Sequence, residues 1–181
     1  AAGMIGTDKV RVLVVDDHPT NLRLLEAILS PSGYDVVTAA TGEEALQRLG
    51  ETDIDLVLLD IVMPGIDGYE VCRRIRQDPL TTYLPVVMVT ASGEEEKVRS
   101  LEAGADDFLT KPVKSSELLA RVASLTRIKR FHDTIQRQAA ELAAWNRELE
   151  SRVALQVAEL ERMSALRRFL SPQLVELLVD A

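Results

Sequence analysis

Residues 55–68 read DLVLLDIVMPGIDG. Leu56–Leu59 is an unbroken aliphatic run, too short for a helix, and predicts a strand buried on both faces that ends in a carboxylate, Asp60. Met63-Pro64-Gly65 and Asp67-Gly68 then mark a loop, and Tyr69–Gln77 a short helix. The same order recurs on either side. Val10–Val15 is a strand ending in Asp16-Asp17, followed by a helical stripe of Leu22, Leu25, Ile28 and Leu29. Ser30-Pro31-Ser32-Gly33 turns into a strand at Tyr34–Ala39, and Thr41-Gly42-Glu43-Glu44 opens a helix that ends near Gly50. Downstream, Pro85–Thr90 is a strand, Glu94–Ala103 a helix stopped by Gly104, and Phe108–Leu109 a short last strand before a helix that starts around Ser115. Five strand-then-helix units in about 120 residues predict an α/β domain with a parallel sheet and helices on both faces.

Of the 181 residues, 46% are hydrophobic and 28% charged, enough apolar side chain to bury a core and exclude a disordered chain. The longest apolar runs, such as Val12–Val15 and Val86–Val89, span four residues, so no membrane insertion is expected. One cysteine, Cys72, excludes a disulfide scaffold and reads as a buried helix residue. Ala1–Lys9 has neither a long apolar stretch nor a basic leader, which makes the cytoplasm the expected location, and Ala1-Ala2-Gly3 ahead of Met4 reads as a tag remnant. Residues 1–124 hold 21 acidic and 12 basic side chains, a net charge of −9, whereas residues 125–181 hold 8 and 9, a net +1. Neither half offers the basic face that nucleic-acid binding requires, so no nucleic-acid partner is expected.

In a doubly wound parallel sheet, ligands bind beyond the carboxyl ends of the strands. Asp16 and Asp17, Asp60, Thr90, and Thr110-Lys111-Pro112 all fall there, from four separate strands. Three converging carboxylates repel unless a cation neutralises them. An all-oxygen set selects a hard divalent ion such as Mg²⁺. Lys111 adds a point charge suited to a phosphoryl group, Thr90 a hydroxyl, and a carboxylate so placed can itself accept phosphate. His18 stands beside the acidic pair, but with no second histidine nearby it reads as loop packing.

The segments VLVVDDHPTNLRLLEAIL, LVLLDIVMPGIDGYEVCRRIR, PVVMVTASGEE and AGADDFLTKPV, in this order and spacing over about residues 9–125, resemble a bacterial response-regulator receiver domain. The resemblance implies a flavodoxin-like fold, a five-stranded parallel sheet in the order 2-1-3-4-5. It implies Asp60 as phosphoacceptor, phosphorylated by a sensor histidine kinase of a two-component system. Asp16, Asp17, Asp60 and the backbone carbonyl of Val62 would hold Mg²⁺. Thr90 is implied as the switch hydroxyl, Lys111 as the phosphoryl contact, Phe108 as the rotating aromatic, and Lys111–Pro112 as a cis peptide. Val62 and Ser92 sit where the family tunes hydrolysis of the acyl phosphate; an apolar Val62 holds no attacking water, so a long-lived phosphoryl group is expected. A Mg²⁺-dependent phosphohydrolase would also use an aspartate nucleophile, but usually with a second Asp two residues on, where this sequence has Val62.

From Ser116 to Phe169 there is neither Gly nor Pro, which predicts one long helix, about 80 Å if unbroken. Ile128, Phe131, Ile135, Gln138, Leu142, Trp145 and Leu149 follow a coiled-coil spacing, and a stutter then carries the stripe to Val153, Gln156, Leu160 and Met163. A lone helix would expose this stripe, which implies a dimeric coiled coil. His132, on the same helix, is expected to be exposed. The stretch from Trp145, and RRFLSPQLVELL at 167–178 above all, resembles the coiled coil and lead-in ahead of class III adenylate or guanylate cyclase catalytic domains. The expected organisation is therefore a tag remnant or disordered stretch at 1–8, a receiver at 9–125, a coiled-coil signalling helix at 126–169, and at 170–181 the leading segment of an output domain lying beyond the sequence. On that reading this chain is not itself an enzyme, although the whole protein would be a cyclase. A diguanylate cyclase, a serine/threonine phosphatase or a histidine kinase stay open as outputs.

Overall fold

The computed structural model describes residues 9–91 and 93–169. The expected segments at 1–8 and 170–181, and Ser92, lie outside the described residues. Five strands alternate with helices: β1 (Arg11–Val15), α1 (Pro19–Leu29), β2 (Asp35–Ala39), α2 (Gly42–Glu51), β3 (Leu56–Asp60), α3 (Gly68–Gln77), β4 (Val86–Thr90), α4 (Glu94–Glu102), β5 (Asp107–Thr110) and α5 (Ser115–Phe169). All strand pairs are parallel, in the order β2-β1-β3-β4-β5. The three central strands are those with continuous apolar runs, and β3 and β4 are buried at every position, while the edge strands β2 and β5 are half-exposed.

Side chains alternate across the sheet and build two cores. Val12 and Val14 of β1, Leu56 and Leu58 of β3, and Val87 of β4 pack under α1 and the start of α5. Leu13, Val15, Val57, Leu59 and Met88 pack on the opposite face against α2 and α3. Helix starts are fixed locally. The Thr41 hydroxyl accepts from the Glu44 N–H at 3.1 Å while the Glu44 carboxylate accepts from the Ala40 N–H at 2.8 Å, and Asp67 accepts from the Glu70 N–H at 2.8 Å. α4 ends where Gly104 takes a φ of 97°, a left-handed conformation that glycine adopts without a Cβ penalty.

Element bounds differ from the sequence expectation by a residue or two. Val10 and Pro85 fall just outside their strands, yet their carbonyls accept from Asp35 N–H and Val57 N–H, both at 2.9 Å, and so continue the pairing. β5 is longer than Phe108–Leu109 because its pairing with β4 extends over Asp107 and Thr110.

Contacts divide the chain into two units, residues 1–132 and 133–181. In the first, α5 buries Leu118, Val122 and Thr126. Lys129 approaches Asp55 at 3.7 Å, and the His132 ring lies 4.3 Å from that of Tyr83, so His132 is half-buried rather than exposed. In the second unit the described residues are helical, and Leu142, Trp145 and Leu149 are 60%, 69% and 57% exposed. Among the described residues no helix is long and apolar enough to cross a membrane.

Cys72 sits inside the α3-side core with no exposed surface, and burial pushes its thiol up to about 11. The native protein at neutral pH should therefore leave Ellman's reagent unreacted until it is denatured. Prompt reaction in native buffer would contradict this packing.

Candidate functional site: an acidic cleft at the carboxyl edge of the sheet

Strand register decides what meets at this edge. Val15 pairs with Leu59, Asp60 with Val89, and Thr90 with Thr110, so the residues at or just after these four strand ends come level. Asp16 is almost fully buried and held from several sides. Its Oδ1 accepts from the His18 N–H at 2.8 Å, and its Oδ2 accepts from Asn21 Nδ2 at 2.9 Å and from Lys111 Nζ at 3.4 Å. Lys111 Nζ also donates to Asp60 Oδ1 at 2.9 Å. One ammonium thus joins carboxylates that lie 44 positions apart in sequence. The Lys111–Pro112 peptide is cis.

Burial pushes the Asp60 carboxyl above its ordinary range; neighbouring Asp16 adds to this, and the hydrogen bond from Lys111 opposes it. Burial alone would lower Lys111, but Asp60 and Asp16 together hold its ammonium above the usual value. The Lys111 direction expresses the two neighbouring carboxylates, the Asp60 direction chiefly its burial. Asp17, partly exposed, adds a third carboxylate; its Oδ1 lies 2.9 Å from His18 Nδ1 and accepts from that nitrogen in the tautomer that protonates it. A cleft of about 380 Å³ opens here, lined by Asp17, His18, Asp60, Val62, Glu96 and Lys111 among others.

The site residues expected from sequence are not all equivalent in space. Ligand atoms of Asp16, Asp17 and His18 lie within 4.8 Å of one another. Asp60 stands outside that triplet and connects to it through Lys111. Val62 lies on the cleft rim, 72% exposed. Thr90 is fully buried, is not part of the cleft lining, and directs its hydroxyl at the Leu109 carbonyl at 3.5 Å, the outer limit of a hydrogen bond. Phe108 is half-buried against the α3-side core, with Lys97 Nζ 5.2 Å from its ring centre. Sequence reasoning missed Asn21, whose amide fixes Asp16, and Glu96, which it placed only in the helix Glu94–Ala103 and not in the site. Asn21 could have been found as the polar residue in the first turn of α1, five positions after Asp16; no local signal distinguishes Glu96 from its neighbours Glu94 and Glu95.

Residues 12–123 match the response regulator receiver domain family. The chain belongs to this family. Receivers are phosphorylated by sensor histidine kinases of two-component systems and bind Mg²⁺ at an acidic pocket. The receiver described here is 47% identical over 131 residues to response regulator PleD of Caulobacter vibrioides, covering 72% of this chain and 29% of that protein. It is 47% identical over 118 residues to the alkaline phosphatase synthesis transcriptional regulatory protein PhoP of Bacillus subtilis, covering 65% of this chain and 48% of that one. The chain thus spans less than half the length of these two relatives. Among solved structures, a response regulator from Chloroflexus aurantiacus superposes with a TM-score of 0.64 at 44% identity, over 66% of this chain and 98% of that one. Chemotaxis protein CheY4 of Vibrio cholerae gives 0.62 at 30% identity, over 65% and 98%.

Proposed function

We propose that Asp60 of this receiver is the phosphoacceptor and that its phosphorylation is relayed through a dimeric coiled coil to a C-terminal output, a nucleotide cyclase. The observation that carries the first part is the single ammonium of Lys111 donating to both Asp60 and Asp16 at the carboxyl edge of the sheet. The donor set is hard and all-oxygen, with more carboxylates than cations, and so fits Mg²⁺. Asp16, Asp17, Asp60 and the Val62 carbonyl would hold the ion. Bound there, Mg²⁺ supplies charge neutralisation for the phosphoryl oxygens.

An Asp60 carboxylate oxygen forms the new O–P bond as the P–N bond of a phosphohistidine on the donor kinase breaks, and the leaving imidazole nitrogen takes a proton from solvent. Lys111 moves from a carboxylate pair to the phosphoryl oxygens. The Thr90 hydroxyl gives up its long contact with the Leu109 carbonyl for a phosphoryl oxygen, which frees space for Phe108 to turn inward. That rearrangement biases the α4–β5–α5 face, and α5 carries the bias onward; couplings of this kind are typically worth about 1–3 kcal/mol. Support for the output comes from the resemblance of the stretch from Trp145 to cyclase lead-in sequence, and support for dimerisation from the exposed stripe through Leu142, Trp145 and Leu149.

Incubation with acetyl phosphate and Mg²⁺ should add one increment of about 80 Da and none when EDTA is present. No increment would overturn the phosphoacceptor assignment. Light scattering should give twice the 20.0 kDa chain mass, and a monomer would overturn the coiled-coil relay.

A further inference from the structure

The exposed stripe of the second unit is interrupted twice by amides. With core positions spaced three and four apart, and one eleven-residue step from Leu142 to Val153, Gln138 and Gln156 occupy core positions between aliphatic neighbours. Both are exposed in the single chain. A helix covering the stripe must satisfy these amides or leave them buried without partners. Laid parallel and in register, each glutamine meets its own counterpart, and a primary amide both donates and accepts. Laid antiparallel, the same spacing also matches, about a point between Trp145 and Asn146. Gln138 then faces Val153 and Gln156 faces Ile135, so four amides meet aliphatic side chains.

We infer that the stripe is covered by a second copy of this chain, parallel and in register, and that the Gln138 and Gln156 layers set that orientation. This rests on the dimeric reading above and adds its geometry. A polar residue at a core position fixes register in this way at some cost in stability.

The test uses the full chain with single substitutions Leu142→Cys and Leu149→Cys; Cys72, buried and protonated, stays out of the reaction. The two positions lie seven residues apart, about 10.5 Å along a helix, beyond the roughly 7 Å that a disulfide spans. In a parallel pair each variant alone oxidises to a covalent dimer, and mixing the two adds no mixed product. Cross-linking only in the mixture would show an antiparallel pair and overturn the inference, as would a dimer in which neither variant cross-links. A monomer by light scattering would fail the dimeric reading itself, a separate outcome. Gln138→Leu with Gln156→Leu should raise the melting temperature and let the mixed product, absent before, appear beside the two self-linked dimers. An orientation unchanged by that double substitution would overturn the role given to the glutamines.

Discussion

Asp60→Asn should abolish the adduct of about 80 Da formed with acetyl phosphate and Mg²⁺ and, in EDTA, should melt at a higher temperature than the native sequence. The substitution keeps the shape of the side chain and a carbonyl oxygen that still accepts from Lys111, but it removes the carboxylate that forms the acyl phosphate. The stability change has its own cause. Asp60 is 6% exposed, and burial, with Asp16 beside it, disfavours its ionised form despite the Lys111 hydrogen bond. Ionised Asp60 therefore costs stability in the fold, and a neutral amide relieves that cost while Lys111 keeps Asp16 as a partner. Mass spectrometry and thermal melts in EDTA check the two halves separately. An undiminished adduct would place the phosphoryl group elsewhere; a lower melting temperature would mean that the Lys111–Asp60 pair outweighs the desolvation.

How far the sequence disclosed this site follows from which contacts are local. Strands were legible because central parallel strands are buried on both faces and so become unbroken aliphatic runs, as at Leu56–Leu59. The convergence of Asp16, Asp60, Thr90 and Lys111 was legible because parallel strands put all their carboxyl ends at one edge. What stayed hidden depends on side-chain reach between elements far apart in the chain. Arg76 donates to the carbonyls of Thr82, Leu84 and Gly104 and to the Asp106 carboxylate, tying α3 to the ends of two loops, yet in sequence it is one arginine among several on an amphipathic helix. Glu96 joins the cleft only because α4 is laid across β4 and β5. The direction of the Thr90 hydroxyl is a rotamer choice set by Leu109 on the neighbouring strand, which no spacing encodes. His132 was misplaced for the same reason: Tyr83, its stacking partner, lies 49 positions earlier in the chain.

Gly68→Ala should destabilise the receiver and weaken phosphorylation, whereas Gly50→Ala should do neither. Both glycines lie in helices, where alanine is ordinarily favoured by about 0.5–1 kcal/mol. At Gly50 a Cβ meets nothing within 4 Å, so the ordinary preference prevails and stability rises by about that amount. At Gly68 a Cβ would sit 2.3 Å from the Asp60 carbonyl oxygen and 2.9 Å from Ile61 Cα. These are backbone atoms and cannot swing away. Either α3 moves off the sheet, breaking the 2.9 Å hydrogen bond from Gly68 N–H to the Ile61 carbonyl, or the chain after β3 moves and carries Asp60 with it. Overpacking of this kind costs about 1–3 kcal/mol, and a clash between backbones belongs at the upper end, well beyond the helix preference that opposes it. Thermal melts of the two variants should therefore shift in opposite directions. The rate of adduct formation should fall for Gly68→Ala even at temperatures where it is fully folded, because the displaced backbone is that of the phosphoacceptor. Gly68→Ala melting alongside Gly50→Ala would show that α3 and the end of β3 are not in the contact from which the geometry of Asp60 is derived.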